Sequence, residues 1–107
     1  MSWFRRSRRT GAPGSELSRS DVGAVRSHLE EFVASRRGVE AYVEPATRVT
    51  APTVVLIAYD GEWTRRALPD RESAFDVARR LGIPVYDVNL TGYPARMREW
   101  TSRHRTD

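Results

Sequence analysis

The segment Thr53 to Tyr59 constrains the fold more than any other part of the chain. It contains the unbroken apolar run Val54-Val55-Leu56-Ile57-Ala58, which is rich in β-branched residues and too short to be a separate helix. Such a run predicts a central strand that is covered on both faces. Asp60-Gly61 follows directly, and because both residue types tolerate the backbone of a tight turn, we expect the chain to return as a hairpin.

The rest of the chain completes the order α-β-β-β-α-β-α. In chain order we expect a helix from Ser18 or Ser20 to Gly38, strands over 39–44, 53–59 and 62–68, a helix capped by Asp70, a strand over 85–88, a turn over 89–92 and a helix from Pro94. The strand over 39–44 reads as amphipathic, with alternate apolar and polar residues. The first three strands form an antiparallel meander, and the fourth returns through a helical crossover of the length that parallel neighbours need. The fold class is therefore α+β, a mixed four-stranded sheet with helices packed on it.

Charge divides the chain into one domain and two polar ends. A length of 107 residues is enough for one modest core. We expect a disordered Arg-rich leader over 1–16, a single α+β domain over 17–103 and a polar tail over 104–107. The formal net charge is +4, but residues 21–90 carry nine arginines and eleven acids, so the predicted globule is mildly acidic and its ends are basic. All 18 basic residues are arginine, and because this preference for arginine over lysine is uniform along the chain, it favours a coding bias over a phosphate-binding cluster.

Composition also excludes several classes of protein. The chain has no cysteine, which rules out disulfides, thiolate metal sites, iron–sulfur clusters and cysteine nucleophiles. No apolar run approaches the roughly 20 residues of a membrane span. A signal peptide would need an apolar stretch after the first arginines, but residues 10–14 are Thr-Gly-Ala-Pro-Gly. We therefore expect a cytoplasmic protein without a membrane span.

Few residues are candidates for catalysis. Asp60, Glu62 and Asp87 lie near predicted strand ends, where three converging carboxylates could hold Mg²⁺. The stronger interpretation assigns Asp60 to the turn, Glu62 to the polar face of an edge strand and Asp87 to a strand end. His28 and His104 lack the spacing of metal ligands, and the GxSxG, GxxxxGK[ST] and GxGxxG motifs are missing. The sequence therefore predicts no catalytic residue, no metal site and no cofactor, and it leaves an enzyme as the alternative.

The N-terminal arm interleaves aromatic and basic residues. Those that could make contacts are Trp3, Phe4, Arg5, Arg6, Arg8 and Arg9. Such a pattern can stack on bases while neutralising phosphates, or rest at an anionic membrane surface. A solvated tail with neither contact has the same composition, so all three interpretations stay open.

A second group of aromatic and basic residues falls on ordered elements. We expect one binding face that is formed by Trp63, Arg65 and Arg66 of the third strand with Tyr93, Arg96 and Arg98 of the last turn. Trp, Tyr and Arg are the residue types that are enriched at interface hot spots. In the alternative interpretation Trp63 and Trp100 belong to the core and the arginines solvate it. From this face we expect the protein to bind another protein or an acidic polymer.

The same segments carry a family resemblance. Through Asp60-Gly61-Glu62-Trp63-Thr64-Arg65-Arg66 and Gly92-Tyr93-Pro94-Ala95-Arg96-Met97-Arg98, the chain resembles a family of small uncharacterised actinobacterial proteins over about residues 17–103. Some members of that family carry the label oxidoreductase. The resemblance implies an oxidoreductase activity only because of this label. The sequence itself has no redox cysteine and no flavin or nicotinamide motif.

Two fold-level analogies bear on function. The order α-β-β-β-α-β is similar to the core of restriction-endonuclease-like nucleases, which need an acid on the second strand and an acid-x-Lys pair on the third. Here 53–59 has no acid and the chain has no lysine. The first elements also resemble double-stranded-RNA-binding domains, but Asp70-Arg71-Glu72 is mixed in charge where those domains begin a helix with basic residues. We therefore expect a non-catalytic cytosolic interaction module, with an oxidoreductase, a divergent nuclease or an RNA- or DNA-binding accessory protein as alternatives.

Overall fold

A computed structural model of the chain describes residues 19–105, with side chains from residue 21 onward. Its elements are α1 (Arg19–Ser35), β1 (Glu40–Glu44), β2 (Thr53–Ile57), β3 (Trp63–Ala67), α2 (Arg71–Arg80), β4 (Val85–Asp87), α3 (Val88–Thr91) and α4 (Ala95–Arg103). Helices and a mixed four-stranded sheet confirm the α+β class. The predicted leader over 1–16, with its contact residues Trp3, Phe4, Arg5, Arg6, Arg8 and Arg9, lies outside the described residues.

The strands lie in the order β3-β2-β1-β4. β2 pairs antiparallel with both β1 and β3, which confirms the meander, and β4 pairs parallel with β1. β1 is therefore a central strand, and Tyr42 on its supposedly polar side is only 6% exposed. The alternation expected over 39–44 is present, with Val39, Ala41 and Val43 on the helix-covered side, but the other side is not open to solvent at Tyr42, because Tyr86 of β4 and Met97 of α4 pack against that ring. The turn expected over 89–92 is largely the one-turn helix α3.

The β2–β3 hairpin confirms the turn that Asp60-Gly61 predicts. The Gly61 amide donates to the Ala58 carbonyl at 2.9 Å, and the Ala58 amide donates to the Glu62 carbonyl at 2.8 Å, so three residues form the loop. Gly61 has a φ of 97°, and a Cβ built there would lie 2.0 Å from the carbonyl oxygen of Arg96. Glycine is required because the backbone is left-handed and because α4 approaches it closely.

One face of the sheet is covered by α1 and α2, and we call it the helical face. Its buried residues are aliphatic apart from one phenylalanine: Leu29, Phe32, Val39, Ala41, Val43, Val54, Leu56, Ala58, Leu68, Ala74, Val77 and Ala78. Asp70 caps α2 as expected, since its side chain accepts a hydrogen bond from the Ser73 amide at 2.7 Å. Burial of this continuous apolar surface is the main source of stability.

The opposite face carries most of the aromatic side chains that contact the sheet, and we call it the aromatic face. Its members are the buried Tyr42, Val55, Ile57 and Met97 and the partly buried Trp63, Tyr86 and Tyr93. Met97 comes from α4, so this short C-terminal helix covers part of the face. Among residues 19–105 no helix has both the length and the apolar character that crossing a membrane requires.

Candidate functional site

The structure divides the six predicted binding residues between the two faces. Trp63 lies opposite Ile57 and Arg65 opposite Val55, which places both side chains on the aromatic face. Arg66 lies opposite Val54 on the helical face, because successive residues of a strand point to opposite sides. Tyr93, Arg96 and Arg98 come from the segment that packs on the aromatic face. Arg66 therefore does not share a surface with the other five.

Arg65 forms a two-point ion pair across the sheet. Its Nε and Nη2 atoms donate to the two carboxylate oxygens of Glu44, each at 2.9 Å, and its guanidinium lies 5.1 Å from the Trp63 ring centroid. The hydroxyl of Thr53 also donates to Glu44. This planar pairing is the geometry that Arg and carboxylate prefer, and it neutralises the charge of Arg65.

Arg96 joins α4 to the central strands. Its Nη2 donates to Glu40 at 2.7 Å and its Nε to the Ala58 carbonyl at 2.9 Å. The Tyr42 hydroxyl donates to the same Glu40 oxygen at 2.9 Å. The hydrogen bond from Arg96 lowers the pKa of the Glu40 carboxyl, whereas burial and then the hydrogen bond to Glu40 raise the pKa of Tyr42 to about 12. Arg96 is therefore a structural residue.

Tyr93 belongs to a row of tyrosines on the aromatic face. Its ring centroid lies 6.3 Å from that of Tyr42, which stacks on Tyr86 at 5.2 Å. These separations are typical of attractive aromatic pairs. Tyr93 stays partly exposed, and it lines two separate concavities.

The first concavity lies where β1 and β4 end, and we call it the strand-end groove. Its volume is about 410 Å³, and its lining is Glu44, Pro45, Thr47, Thr50, Ala51, Thr53, Arg65, Val88 and Tyr93. The carboxyl ends of parallel strands are a common location for ligands in α/β sheets. The charges in this lining, Glu44 and Arg65, are already paired with each other. The groove therefore offers apolar side chains, threonine hydroxyls and one ring face.

The second concavity lies along α4, and we call it the α4 groove. Its volume is about 400 Å³, and it is lined by Tyr93, Met97, Arg98, Thr101 and Arg105. Arg98 and Arg105 are exposed, and within the described part of the chain neither side chain has a hydrogen bond or an ion pair. This groove therefore combines an apolar floor with two cationic groups that are available to a ligand.

A third concavity lies beside the edge strand, and we call it the edge groove. It separates α1 from β3, has a volume of about 450 Å³ and is lined by His28, Glu31, Phe32, Ser35, Arg36, Glu62, Trp63 and Thr64. The Nε2 atom of His28 lies 2.8 Å from the Thr64 hydroxyl oxygen. Burial lowers the pKa of His28, and the charges of Arg66 and Arg36 lower it further.

The three carboxylates considered for Mg²⁺ do not converge. Asp60 accepts from the Glu62 amide in the hairpin, and Glu62 pairs with Arg36 at 2.7 Å. Asp87 lies opposite Val43 at the other end of the sheet. Over residues 19–105 no group of three His, Asp or Glu side chains has the geometry to hold a metal ion. His104 contacts Trp100, with ring centroids 4.0 Å apart.

Sequence reasoning missed four residues that shape the aromatic face. Glu40 and Glu44 neutralise the predicted arginines, and Tyr42 and Tyr86 extend the predicted aromatic set. The alternation over 39–44 did put Glu40, Tyr42 and Glu44 on one side. It could not place that side against Arg65, because the loop over 45–52 leaves the β1–β2 register open.

No known family model, curated protein or solved structure matches the chain. The resemblance to small actinobacterial proteins and the oxidoreductase label of some of them therefore stay predictions from the sequence.

Proposed function

We propose that this protein is a non-catalytic interaction module that binds an acidic segment of a partner protein through the aromatic face. The ligand would seat an apolar side chain beside Tyr93 and pair its carboxylates with Arg98 and Arg105. Of the six binding residues that the sequence predicted, this proposal keeps Tyr93 and Arg98 as ligand contacts. It also gives Arg65 and Arg96 a structural role, because both already hold carboxylates of the sheet.

One observation carries the proposal. Two grooves meet at Tyr93, and the α4 groove brings two exposed arginines, which have no side-chain partner among residues 19–105, to the apolar side chains of Tyr93 and Met97. Aromatic and arginine side chains around a partly buried centre are typical of binding hot spots. Exposed cations at the rim favour acidic partners and speed their association.

The balance of charges favours a protein partner over a nucleic acid. Affinity for a polyanion grows with the number of phosphates that a surface neutralises. In the part of the chain that the structure describes, the two grooves of the aromatic face offer two cations without a carboxylate partner, whereas Arg65 is held by Glu44. Such a surface suits a short peptide with one or two acidic residues better than a phosphate backbone. The basic N-terminal arm would add salt-dependent affinity.

The titratable groups of the aromatic face favour binding over catalysis. Glu40 is engaged by Arg96 and Tyr42, and Glu44 by Arg65 and Thr53. Both carboxylates are thus committed to contacts within the sheet and are poorly placed to transfer protons. A cytoplasmic location is part of this proposal and rests on the sequence.

The test measures peptide binding by the full chain. Fluorescence anisotropy would compare a peptide in which glutamates flank a leucine, the same peptide with glutamine for glutamate, and single-stranded RNA. We expect binding of the acidic peptide to weaken by about tenfold or more in an Arg98→Ala/Arg105→Ala variant. The matched control, Arg79→Ala/Arg80→Ala, removes the same charge from α2 and should bind normally.

Two outcomes would contradict the proposal. If the acidic peptide does not bind at any accessible concentration, an acidic protein segment is not the ligand. RNA that binds in preference to the peptide, and loses affinity in the Arg98/Arg105 variant, would assign the face to nucleic acid.

A further inference from the structure

The β3 edge of the sheet presents backbone groups that face away from β2. The Ala58 amide donates to the Glu62 carbonyl, and the Leu68 amide donates to the Pro52 carbonyl. Because hydrogen-bonded pairs alternate along an antiparallel ladder, residues 62, 64, 66 and 68 direct their amides and carbonyls toward β2. Trp63, Arg65 and Ala67 therefore direct theirs away from the sheet.

Little within the described residues covers this row. The Arg65 carbonyl accepts a hydrogen bond from the Arg66 side chain at 2.8 Å, and no other donor or acceptor of residues 19–105 is paired with the outward groups. The opposite edge differs, since β4 has only three residues and α3 follows it at once. A long open edge is a template for another strand, and short edge strands avoid this.

The edge groove runs beside the same strand. Its walls are α1, through His28, Glu31 and Phe32, and β3, through Trp63 and Thr64. A strand added to β3 would send alternate side chains to each side of the sheet, and those on the helical side would enter this groove. Strand addition gains affinity from the backbone and specificity from such a groove.

From these observations we propose that β3 binds an extended peptide segment of another protein by strand addition, with an acidic side chain level with Arg66 and an apolar side chain in the edge groove. This site does not use Arg98 or Arg105 of the α4 groove, and the two grooves are linked only through Trp63, which lines the edge groove and donates a hydrogen bond to Thr101 of the α4 groove at 2.9 Å within the described residues.

Charge decides the occupant. Arg66 is exposed, and within residues 19–105 its side-chain hydrogen bonds go to Thr64 and to the Arg65 carbonyl, not to an acid. Near it, His28 has a lowered pKa, and Arg36 and Glu62 pair with each other, which leaves Glu31 as the charge that faces the groove from α1. An acidic residue of the bound peptide is therefore favoured at the position beside Arg66, whose charge attracts it, and disfavoured at the position beside Glu31, whose charge repels it.

A second copy of this chain is the less suitable occupant. Antiparallel pairing of two β3 strands would bring Arg65 and Arg66 of one copy beside the same residues of the other. Like charges that face each other across strands oppose pairing, and arginines on an edge commonly serve this purpose. An acidic segment from a different protein meets no such repulsion.

The experiment selects displayed linear peptides on the full-length protein and on an Arg66→Glu variant. We expect the wild type to enrich alternating sequences with an acidic residue at one fixed position. The Arg66→Glu variant should enrich a basic residue at that position and bind the wild-type peptide about tenfold more weakly. On binding, hydrogen exchange should slow at the amides of Trp63, Arg65 and Ala67, which indicates backbone pairing.

A matched pair of variants isolates the backbone. Arg65→Pro removes an outward amide without disturbing the ladder to β2, and Arg65→Ala removes the same side chain but keeps that amide. The selected peptide should bind Arg65→Ala and lose affinity for Arg65→Pro. Binding to the Arg98→Ala/Arg105→Ala variant should persist, which separates this site from the α4 groove.

The proposal is overturned if no peptide is enriched, or if enriched peptides bind Arg65→Pro as well as they bind Arg65→Ala. It also fails if the wild-type amides of Trp63, Arg65 and Ala67 exchange at the same rate with and without peptide, a result that needs no variant to fold.

Discussion

The two faces of one sheet are built differently. On the helical face, α1 and α2 bury an aliphatic surface that includes Leu56 at 0% exposure. On the aromatic face, α4 covers only part of a surface that tyrosines and Trp63 form. The same face carries the ion pairs Arg96–Glu40 and Arg65–Glu44. β2 supplies both faces, since Leu56 and Ile57 are neighbours in the chain. The difference therefore comes from what packs on the strands.

That difference separates stability from binding. Aliphatic packing gains most from burial and tolerates little change of shape. Aromatic and ion-paired surfaces keep polar groups near solvent, where a ligand can reach them. The helical face thus holds the domain together, and the aromatic face leaves grooves around Tyr93.

The largest effect should come from neighbouring truncations on β2. Leu56→Ala should lower the free energy of unfolding by about 4–5 kcal/mol, and Ile57→Ala by about 2–3 kcal/mol. Both residues are fully buried, but the cavity at Ile57 borders the partly open aromatic face, whose side chains can relax into it. Urea denaturation measures both, with the exposed Leu90→Ala as control. Equal losses would show that the two faces pack equally tightly.

A smaller loss is expected when α4 is released from the sheet. Arg96→Ala should cost about 1–3 kcal/mol, because Glu40 and the Ala58 carbonyl lose their donor. The pKa of Glu40 is lowered in the folded protein, so its stabilising effect is present above the unfolded pKa and is lost as pH falls through the folded one. Stability measured from neutral to acidic pH should fall less steeply in Arg96→Ala. Arg98→Ala, on the same helix and with no side-chain partner among the described residues, should match the wild type.

Alkaline titration tests the burial of the aromatic face. The pKa of Tyr42 is raised to about 12 in the folded protein, so the folded state loses stability as pH rises above the ordinary tyrosine pKa of about 10. By about pH 11 this loss should be on the order of 1 kcal/mol relative to neutral pH. Tyr42→Phe should lack it, and the exposed Tyr59→Phe should retain it. An unchanged slope in Tyr42→Phe would contradict the burial of the hydroxyl.

The smallest effect compares two neighbouring arginines on opposite faces. Arg65→Ala should cost up to about 1 kcal/mol, since its pair with Glu44 is partly exposed. Arg66→Ala should stay within about 0.5 kcal/mol, because no carboxylate is bound to it in the described residues. Thermal unfolding measures the difference. A larger loss of stability for Arg66→Ala than for Arg65→Ala would contradict the assignment of Arg65 as the structural residue of the two.

Much of the fold follows from local sequence patterns. The apolar run over 54–58 predicted the central strand, Asp60-Gly61 the hairpin, and Asp70 the start of α2, and the structure confirms all three. These features depend on residues close together in the chain, where backbone preferences and side-chain alternation act directly.

The candidate site was only partly predictable. Aromatic residues and arginines drew attention to Trp63, Arg65, Tyr93, Arg96 and Arg98, which the structure places on or beside the aromatic face. Which arginines are free could not be read from the chain, since the partners of Arg65 and Arg96 are 21 and 56 residues away.

The sequence by itself determined the order of the elements, their polar and apolar sides and the excess of positive charge at the ends. Only the tertiary structure decided that β4 lies beside β1, that Tyr42 is buried, and that Glu40 and Glu44 neutralise two of the predicted binding arginines. The physical reason is that periodicity and turn chemistry act between near neighbours. Strand order and register across a long loop depend instead on the packing of the whole sheet.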